Sequence, residues 1–118
     1  MSLFFTAYKN RTFSGTITFY DADGEESVLT PNDKVRVKIG RPGDTPILDI
    51  TSDAALAGGS SVTATNPATL RVDEDDTENL TAAIYEIEAN VYDDSDAAIK
   101  HAQSGVFNLL TSQLGGVS

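Results

Sequence analysis

The sequence predicts an all-β fold, an antiparallel β-sandwich of about seven to nine short strands. Residues 84–92 alternate apolar with polar side chains, and residues 34–39 repeat this alternation with basic residues on the polar side. Because successive side chains of a strand point to opposite faces, each segment predicts one buried face and one solvated face. The other apolar segments are short and separated by turn residues, which argues against a fold built on long helices.

The predicted elements follow one another at short intervals along the chain. The predicted strands cover residues 4–9, 13–20, 27–29, 34–39, 46–51, 60–65, 68–72, 84–92 and 99–110. Residues 21–24 have the chemistry of a hairpin turn. Residues 74–80 predict one short helical turn, because acidic residues near its start interact favourably with the helix dipole. The last strand is predicted to be kinked near Gly105, where a glycine interrupts the strand pattern.

The chain of 118 residues is predicted to form one domain. Residues 1–110 form the predicted sandwich, and residues 111–118 form a tail that is flexible or bound by a partner. The sequence has no cysteine, which excludes disulfides and zinc–thiolate sites. The first residues lack the basic segment of a signal peptide, so we expect an intracellular product.

The net charge of −10 is unevenly distributed along the sequence. Residues 1–50 carry six basic and seven acidic groups, whereas residues 51–118 carry two basic and eleven acidic groups. A strongly acidic surface repels phosphate backbones, so we expect no nucleic-acid partner. No apolar run approaches the ~20 residues that span a bilayer, so we expect no membrane partner. The acidic surface either aids solubility or contacts a basic face on another copy.

The residue inventory predicts that the protein is not an enzyme and has no catalytic residues. His101 is the one histidine, and it lies in a predicted strand. Glu86 and Glu88 share a strand face, but outward glutamates on alternate strand positions are ordinary solvated residues. No nucleophile elbow, phosphate-binding loop or zinc-binding helix motif is present.

Acidic turns raise the alternative of a calcium site, although the sequence predicts no cofactor. The candidate ligands are Asp21, Asp23, Asp93, Asp94 and Asp96. A calcium loop of the EF-hand type needs glycine at its sixth position and glutamate at its twelfth, and this sequence has neither there. Hairpin turns with solvated aspartates are the preferred interpretation, and calcium bound between neighbouring acidic loops stays open.

The ends of the chain supply the first set of predicted partner contacts. Phe4 and Phe5 are adjacent, so a strand would point them to opposite faces and leave one outside its own core. Such an exposed aromatic side chain suits contact with another subunit. The predicted contacts of this set are Phe4, Phe5, Tyr8, Leu110, Leu114 and Val117.

Charged segments supply the second set of predicted contacts. A basic strand on one copy can meet an acidic segment on a neighbour, which would favour a ring or stack. The basic residues are Lys34, Arg36 and Lys38, and the acidic residues are Asp73, Glu74, Asp75 and Asp76.

Four short motifs between residues 35 and 109 carry a family resemblance. They are Val35, Arg36 and Ile39; Asp75, Thr77 and Leu80; Tyr85, Glu86, Ile87 and Glu88; and Gly105, Phe107 and Leu109. With the preceding Asp-Gly turn, this succession resembles the small immunoglobulin-like modules of tailed-bacteriophage virion proteins, such as the N-terminal domain of baseplate upper proteins. Residues 52–67 depart from that pattern, because they are longer and richer in alanine and glycine.

The resemblance implies an immunoglobulin-like sandwich and a non-enzymatic structural role in a virion. The expected location is a tail, baseplate, neck or capsid decoration, in a virion made in the host bacterial cytoplasm. The expected partners are other virion proteins and further copies of the chain in a symmetric homo-oligomer. The alternative is a calcium-stabilised module that binds a carbohydrate or a receptor, for which Tyr20 and Tyr92 are the candidate stacking residues.

Overall fold

Two sheets and one short helix make up the computed structural model, which describes residues 3–9, 11–95 and 98–111. In that part of the chain the strands and the helix follow one another closely, in the order β1 to β6, α1, β7 and β8. The bounds are β1 Leu3–Tyr8, β2 Phe13–Ile17, β3 Asp33–Gly40, β4 Leu48–Thr51, β5 Ser61–Val62, β6 Ala68–Val72, α1 Glu74–Thr77, β7 Ala83–Asp93 and β8 Ile99–Leu110. The all-β prediction is confirmed.

The strands form a five-stranded and a three-stranded sheet. The larger sheet has the order β1-β8-β7-β3-β4, and the smaller sheet has the order β2-β6-β5. β1 pairs with β8 in the parallel direction, and the other pairs of neighbouring strands are antiparallel. The prediction of a wholly antiparallel sandwich is therefore wrong at β1. Alternation in a sequence sets which face a strand buries, but it does not set the direction in which the strand pairs.

The core lies between the two sheets and collects the inward residues of the alternating segments. Val35, Val37 and Ile39 of β3 are completely buried, and Phe19 and Phe107 are the largest side chains with this degree of burial. The smaller sheet contributes the buried apolar side chains of β2, β5 and β6. Burial of each such aliphatic or aromatic side chain stabilises the fold by ~1.5–3 kcal/mol.

The first strand places its two phenylalanines as the sequence predicts. Phe5 points inward, and its ring centroid lies 5.3 Å from that of Phe13 in an edge-on arrangement. Phe13 lies at 5.8 Å from Phe107 in turn, so these three rings join β1, β2 and β8. Phe4 points outward and is 70 % exposed.

Several predicted features differ from the structure, and three of them have a visible local cause or location. Residues 27–29 do not form a strand; an isolated bridge between Tyr20 and Glu26 closes that hairpin. β2 ends at Ile17 because the backbone of Phe19 bonds the side chain of Asn66 instead of another strand. The irregularity in the β7–β8 pairing lies between Val91 and Tyr92 and not at Gly105.

Candidate functional site

The candidate site is the face of the five-stranded sheet that points away from the core, called here the outer face. On β7 the exposed Glu86 and Glu88 alternate with the buried Tyr85 and Ile87, which fixes the two faces. The strand register then aligns the outer side chains in rows across the sheet. One row joins Phe4, Val106 and Glu86, and the next joins Thr6, Asn108 and Ile84.

Apolar side chains occupy the end of the outer face near β1. Phe4 and Ile84 are each 70 % exposed, and Leu110 is 36 % exposed. Val106 pairs with Phe4 and lies diagonal to Ile84, within reach of larger side chains on adjacent strands. We call these four residues the apolar patch. Several exposed apolar side chains grouped on one face are typical of a contact surface.

Two members of the apolar patch were absent from the predicted contacts. Ile84 and Val106 occupy polar positions of their strands, because they share a face with Glu86 and not with Tyr85. An apolar residue at a solvated position of an alternating strand is the signal that would have found both. The predicted Phe4 and Leu110 do lie on this face, and Tyr8 lies beside Leu110 and is half-buried.

Ion pairs within the chain lie on the outer face at the opposite edge of the sheet, along β3 and β4. The Nε of Arg36 donates to Oδ1 of Asp49 at 2.7 Å, and the Nζ of Lys34 lies 3.0 Å from Asp53. Lys38 stands between Asp49 and Glu88 in the strand register. The hydrogen bond from Arg36 lowers the pKa of Asp49 and raises the pKa of Arg36 itself. The structure therefore gives Lys34 and Arg36 partners in their own chain, and their contact with a neighbour stays a prediction.

The acidic segment before and within α1 stabilises local structure. Asp73 is the N-cap residue and accepts a hydrogen bond from the backbone of Asp75, which lowers the pKa of Asp73. Asp76 accepts hydrogen bonds from the backbone nitrogens of Gly58 and Ser60 at 3.2 and 3.0 Å. Glu74 and Asp75 are exposed. Two of the four acidic residues predicted to bind a neighbour thus hold a turn and a loop of this chain.

A groove of about 500 Å³ lies beside the apolar patch, where the β3–β4 connection borders the outer face. Charged side chains of both signs line it, together with Val106: Lys38, Arg41, Asp44, Glu86 and Glu88. A smaller depression of about 220 Å³ is lined by Arg36, Lys38, Asn90, Tyr92 and Ile99. Both depressions are open and lined by charged or polar side chains. They are therefore better suited to contact a polar segment of another protein than to enclose a small molecule.

The structure uses the candidate calcium ligands in turns. Asp21 Oδ1 accepts hydrogen bonds from the backbone nitrogens of Asp23 and Glu25, and Asp93 Oδ1 accepts one from Ser95. Within residues 3–9, 11–95 and 98–111, no three His, Cys, Asp or Glu side chains gather as a metal site requires. The described candidates Asp21, Asp23, Asp93 and Asp94 therefore do not form such a group. Asp96 lies outside the described residues.

The single histidine connects a loop to a strand. Its Nε2 lies 2.8 Å from the hydroxyl oxygen of Ser27, and the ring is half-buried. The carbonyl of Ser27 accepts a further hydrogen bond from Asn66. This arrangement fastens the loop before β3 to β8. Glu86 and Glu88 stand side by side on the outer face, and Glu88 accepts a hydrogen bond from Asn90 at 2.8 Å.

The comparisons with known proteins found no relative of this chain. Neither the family models, nor the curated proteins, nor the solved structures yielded a match to the chain. Among the described residues, no helix has the length and apolar character needed to cross a membrane. The predicted contacts Leu114 and Val117, with the rest of residues 112–118, lie outside the described part of the chain.

Proposed function

We propose that this protein is a non-enzymatic assembly module with an immunoglobulin-like sandwich, which acts as a structural component of a bacteriophage virion. The apolar patch on the outer face is the observation that carries the assembly role. The placement in a tail, baseplate, neck or capsid decoration follows from the resemblance of its strand motifs to virion modules. The partners are other virion proteins and copies of the chain itself, and the site of action is the virion.

The apolar patch supports an assembly role because its exposure is costly unless another surface covers it. Phe4 and Ile84 each leave most of their side chain in water, although the fold has inward positions for apolar residues. Removing apolar surface from water contributes ~25 cal/mol for each Å² that a partner covers. The groove beside the patch, lined by charged side chains of both signs, supplies part of the polar rim that a protein interface needs.

Incorporation into virions tests this function. Purified virions of the phage that encodes this chain should contain it as a stoichiometric protein, measured by quantitative mass spectrometry. Ile84→Lys should reduce its incorporation at least about tenfold, because a buried lysine without a partner opposes the contact. Val28→Lys is the matched control, because Val28 is 88 % exposed and lies in a loop away from the patch. Virions without the chain, or equal incorporation of both variants, would contradict the proposal.

A carbohydrate- or receptor-binding module is the second candidate, favoured by the depression around Tyr92. Tyr92 lies there beside Arg36 and Asn90, which combines an aromatic ring with hydrogen-bonding groups on one surface. Sugars bind to such combinations by stacking and by hydrogen bonds. Binding to a glycan array that is lost with Tyr92→Ala and kept with Tyr20→Ala would support this candidate. Retention of Ca²⁺ after dialysis would support its calcium-stabilised form.

A further inference from the structure

We propose that two copies of this chain pair through the outer edge of β1, in the antiparallel direction, about a twofold axis perpendicular to the sheet. The five-stranded sheets of the two copies then form one continuous sheet. This inference rests on the proposed assembly function and names its first partner, a second copy of the chain.

The backbone of β1 offers a free edge for such pairing. β1 is the last strand of its sheet, and the nitrogen of Lys9 donates to the carbonyl of Leu110 on β8. In a parallel pair, every second residue of a strand directs its backbone N–H and C=O toward a given neighbour. The backbone groups of Phe5 and Ala7 therefore point to β8, like those of Lys9. The backbone groups of Phe4 and Thr6 point to the outer edge of the sheet. Within the described residues, no hydrogen bond from a turn, loop or cap reaches the backbone groups of Phe4 or Thr6. Unpaired groups of this kind are a template for another strand.

The absence of charge on β1 identifies a second copy as the partner. Copies of a chain with a net charge of −10 repel one another, and a twofold contact brings the same surface of both copies together. Residues 3–8 carry no charged side chain, and neither do the four residues of the apolar patch. β4, at the other edge of the same sheet, carries Asp49 in an ion pair with Arg36. Of the two edges of the larger sheet, the β1 edge is therefore the one where two copies meet with less electrostatic cost.

The geometry of the twofold axis also joins the two apolar patches. An axis perpendicular to the sheet keeps both outer faces on the same side, with both copies of Phe4 on that side. The pairing strand and the patch thus belong to one interface, which combines main-chain hydrogen bonds with apolar burial. Such an interface does not depend on attraction between opposite charges, so salt should not dissociate it.

Sedimentation equilibrium over about a hundred-fold range of concentration tests this inference. We expect a reversible dimer that persists or tightens at about 1 M NaCl, where the screening length is about 3 Å and repulsion between copies is suppressed. Phe4→Lys should weaken dimerisation at least about tenfold, or ~1.4 kcal/mol. Val28→Lys should leave it unchanged, because it adds the same charge elsewhere. Both variants lower the net negative charge, so weaker pairing of Phe4→Lys cannot come from overall repulsion.

A second variant probes the edge itself. Thr6→Pro removes an outward N–H and leaves the bonds from Phe5 and Ala7 to β8, so the monomer should keep its melting temperature, followed by circular dichroism, and lose the dimer. A dimer equally stable in Phe4→Lys and Thr6→Pro would overturn the inference, and so would an oligomer that salt dissociates.

Other occupants of the edge would be recognised by different results. A monomer that dimerises only after residues 112–118 are removed would assign the edge to the chain's own terminal segment and overturn the inference. A chain that stays monomeric while Phe4→Lys still blocks incorporation into virions would assign the edge to another virion protein. That last result overturns the self-pairing and leaves the proposed function standing.

Discussion

At the scale of single residues, one buried and one half-buried polar side chain connect segments that are distant in the sequence. Asp33 is 3 % exposed and accepts hydrogen bonds from Lys100 and from the backbone of Thr30, at 2.7 and 2.8 Å. Asn66 accepts a hydrogen bond from the backbone nitrogen of Phe19 and donates to the carbonyls of Phe19 and Ser27. The local sequence around each residue offers no sign of these distant partners.

Replacement of the buried carboxylate should lower stability in a pH-dependent way. Burial alone would raise the pKa of Asp33, but the hydrogen bonds from Lys100 and Thr30 outweigh it and hold that pKa below its ordinary value. The stabilisation is therefore complete above the pKa of the unfolded chain and is lost as pH falls through the lower folded pKa. Asp33→Asn should cost ~2–3 kcal/mol at neutral pH, and the difference should shrink as pH falls below the ordinary pKa of an aspartate.

Urea unfolding at several pH values measures this difference. Asp23→Asn is the matched control, because Asp23 is exposed and lies in a turn that accepts asparagine equally well. A constant difference between wild type and Asp33→Asn across the pH range would show that the ionised carboxylate is not the source of the stabilisation.

Replacement of the amide of Asn66 should be costly although the shape of the side chain is kept. Asn66→Asp places a carboxylate oxygen against the carbonyl oxygens of Phe19 and Ser27, which now lose their donor. We expect a loss of ~2–4 kcal/mol, measured by chemical unfolding. Asn79→Asp, at an exposed position, should change stability little. Equal effects of the two substitutions would mean that the Asn66 bonds contribute nothing measurable.

At the scale of elements, the long alternating strands were predictable and the first strand's pairing was not. β3 and β7 each begin and end one residue beyond their predicted bounds. They were predictable because each strand buries one face and exposes the other to solvent. The parallel pairing of β1 with β8 depends on contacts between the two ends of the chain, which no local pattern encodes. β5 is much shorter than predicted, because only two of its residues pair with β6. That pairing too depends on contacts beyond the local sequence.

Gly105 lies where β1 passes very close to β8, and not at a kink in β8. The sequence suggested a kink, whereas the strand register continues through this position. A Cβ atom at residue 105 would overlap the backbone carbonyl of Leu3, so glycine is what lets β1 approach β8.

Gly105→Ala should therefore disturb the docking of β1 more than the rest of the sheet. We expect a loss of ~1–3 kcal/mol, because the added methyl group forces the start of β1 to move. Hydrogen exchange should show faster exchange at Phe5 and Ala7 while the β3–β7 pair stays protected. Ser104→Ala, at the neighbouring exposed position, is the control. Unchanged exchange in β1 would contradict this role of Gly105.

At the scale of the whole molecule, the distribution of charge separates a solvated surface from a contact surface. The sequence predicted a contact between a basic strand and an acidic segment, and the structure pairs Lys34, Arg36, Asp73 and Asp76 within the chain. The uncharged end of the outer face carries the apolar patch, of which the sequence indicates Phe4 and Leu110. Ile84 and Val106 join it only once the strand register is known.

Residue-resolved amide exchange of β1, measured by NMR at low and at high protein concentration, is the most direct test of assembly through this surface. The amides of Phe5 and Ala7 should be protected at both concentrations, because they face β8 within one chain. The amides of Phe4 and Thr6 should exchange freely in the dilute sample and become at least about tenfold slower when the chain assembles. Free exchange at Phe4 and Thr6 in a sample that light scattering shows to be assembled would contradict the account.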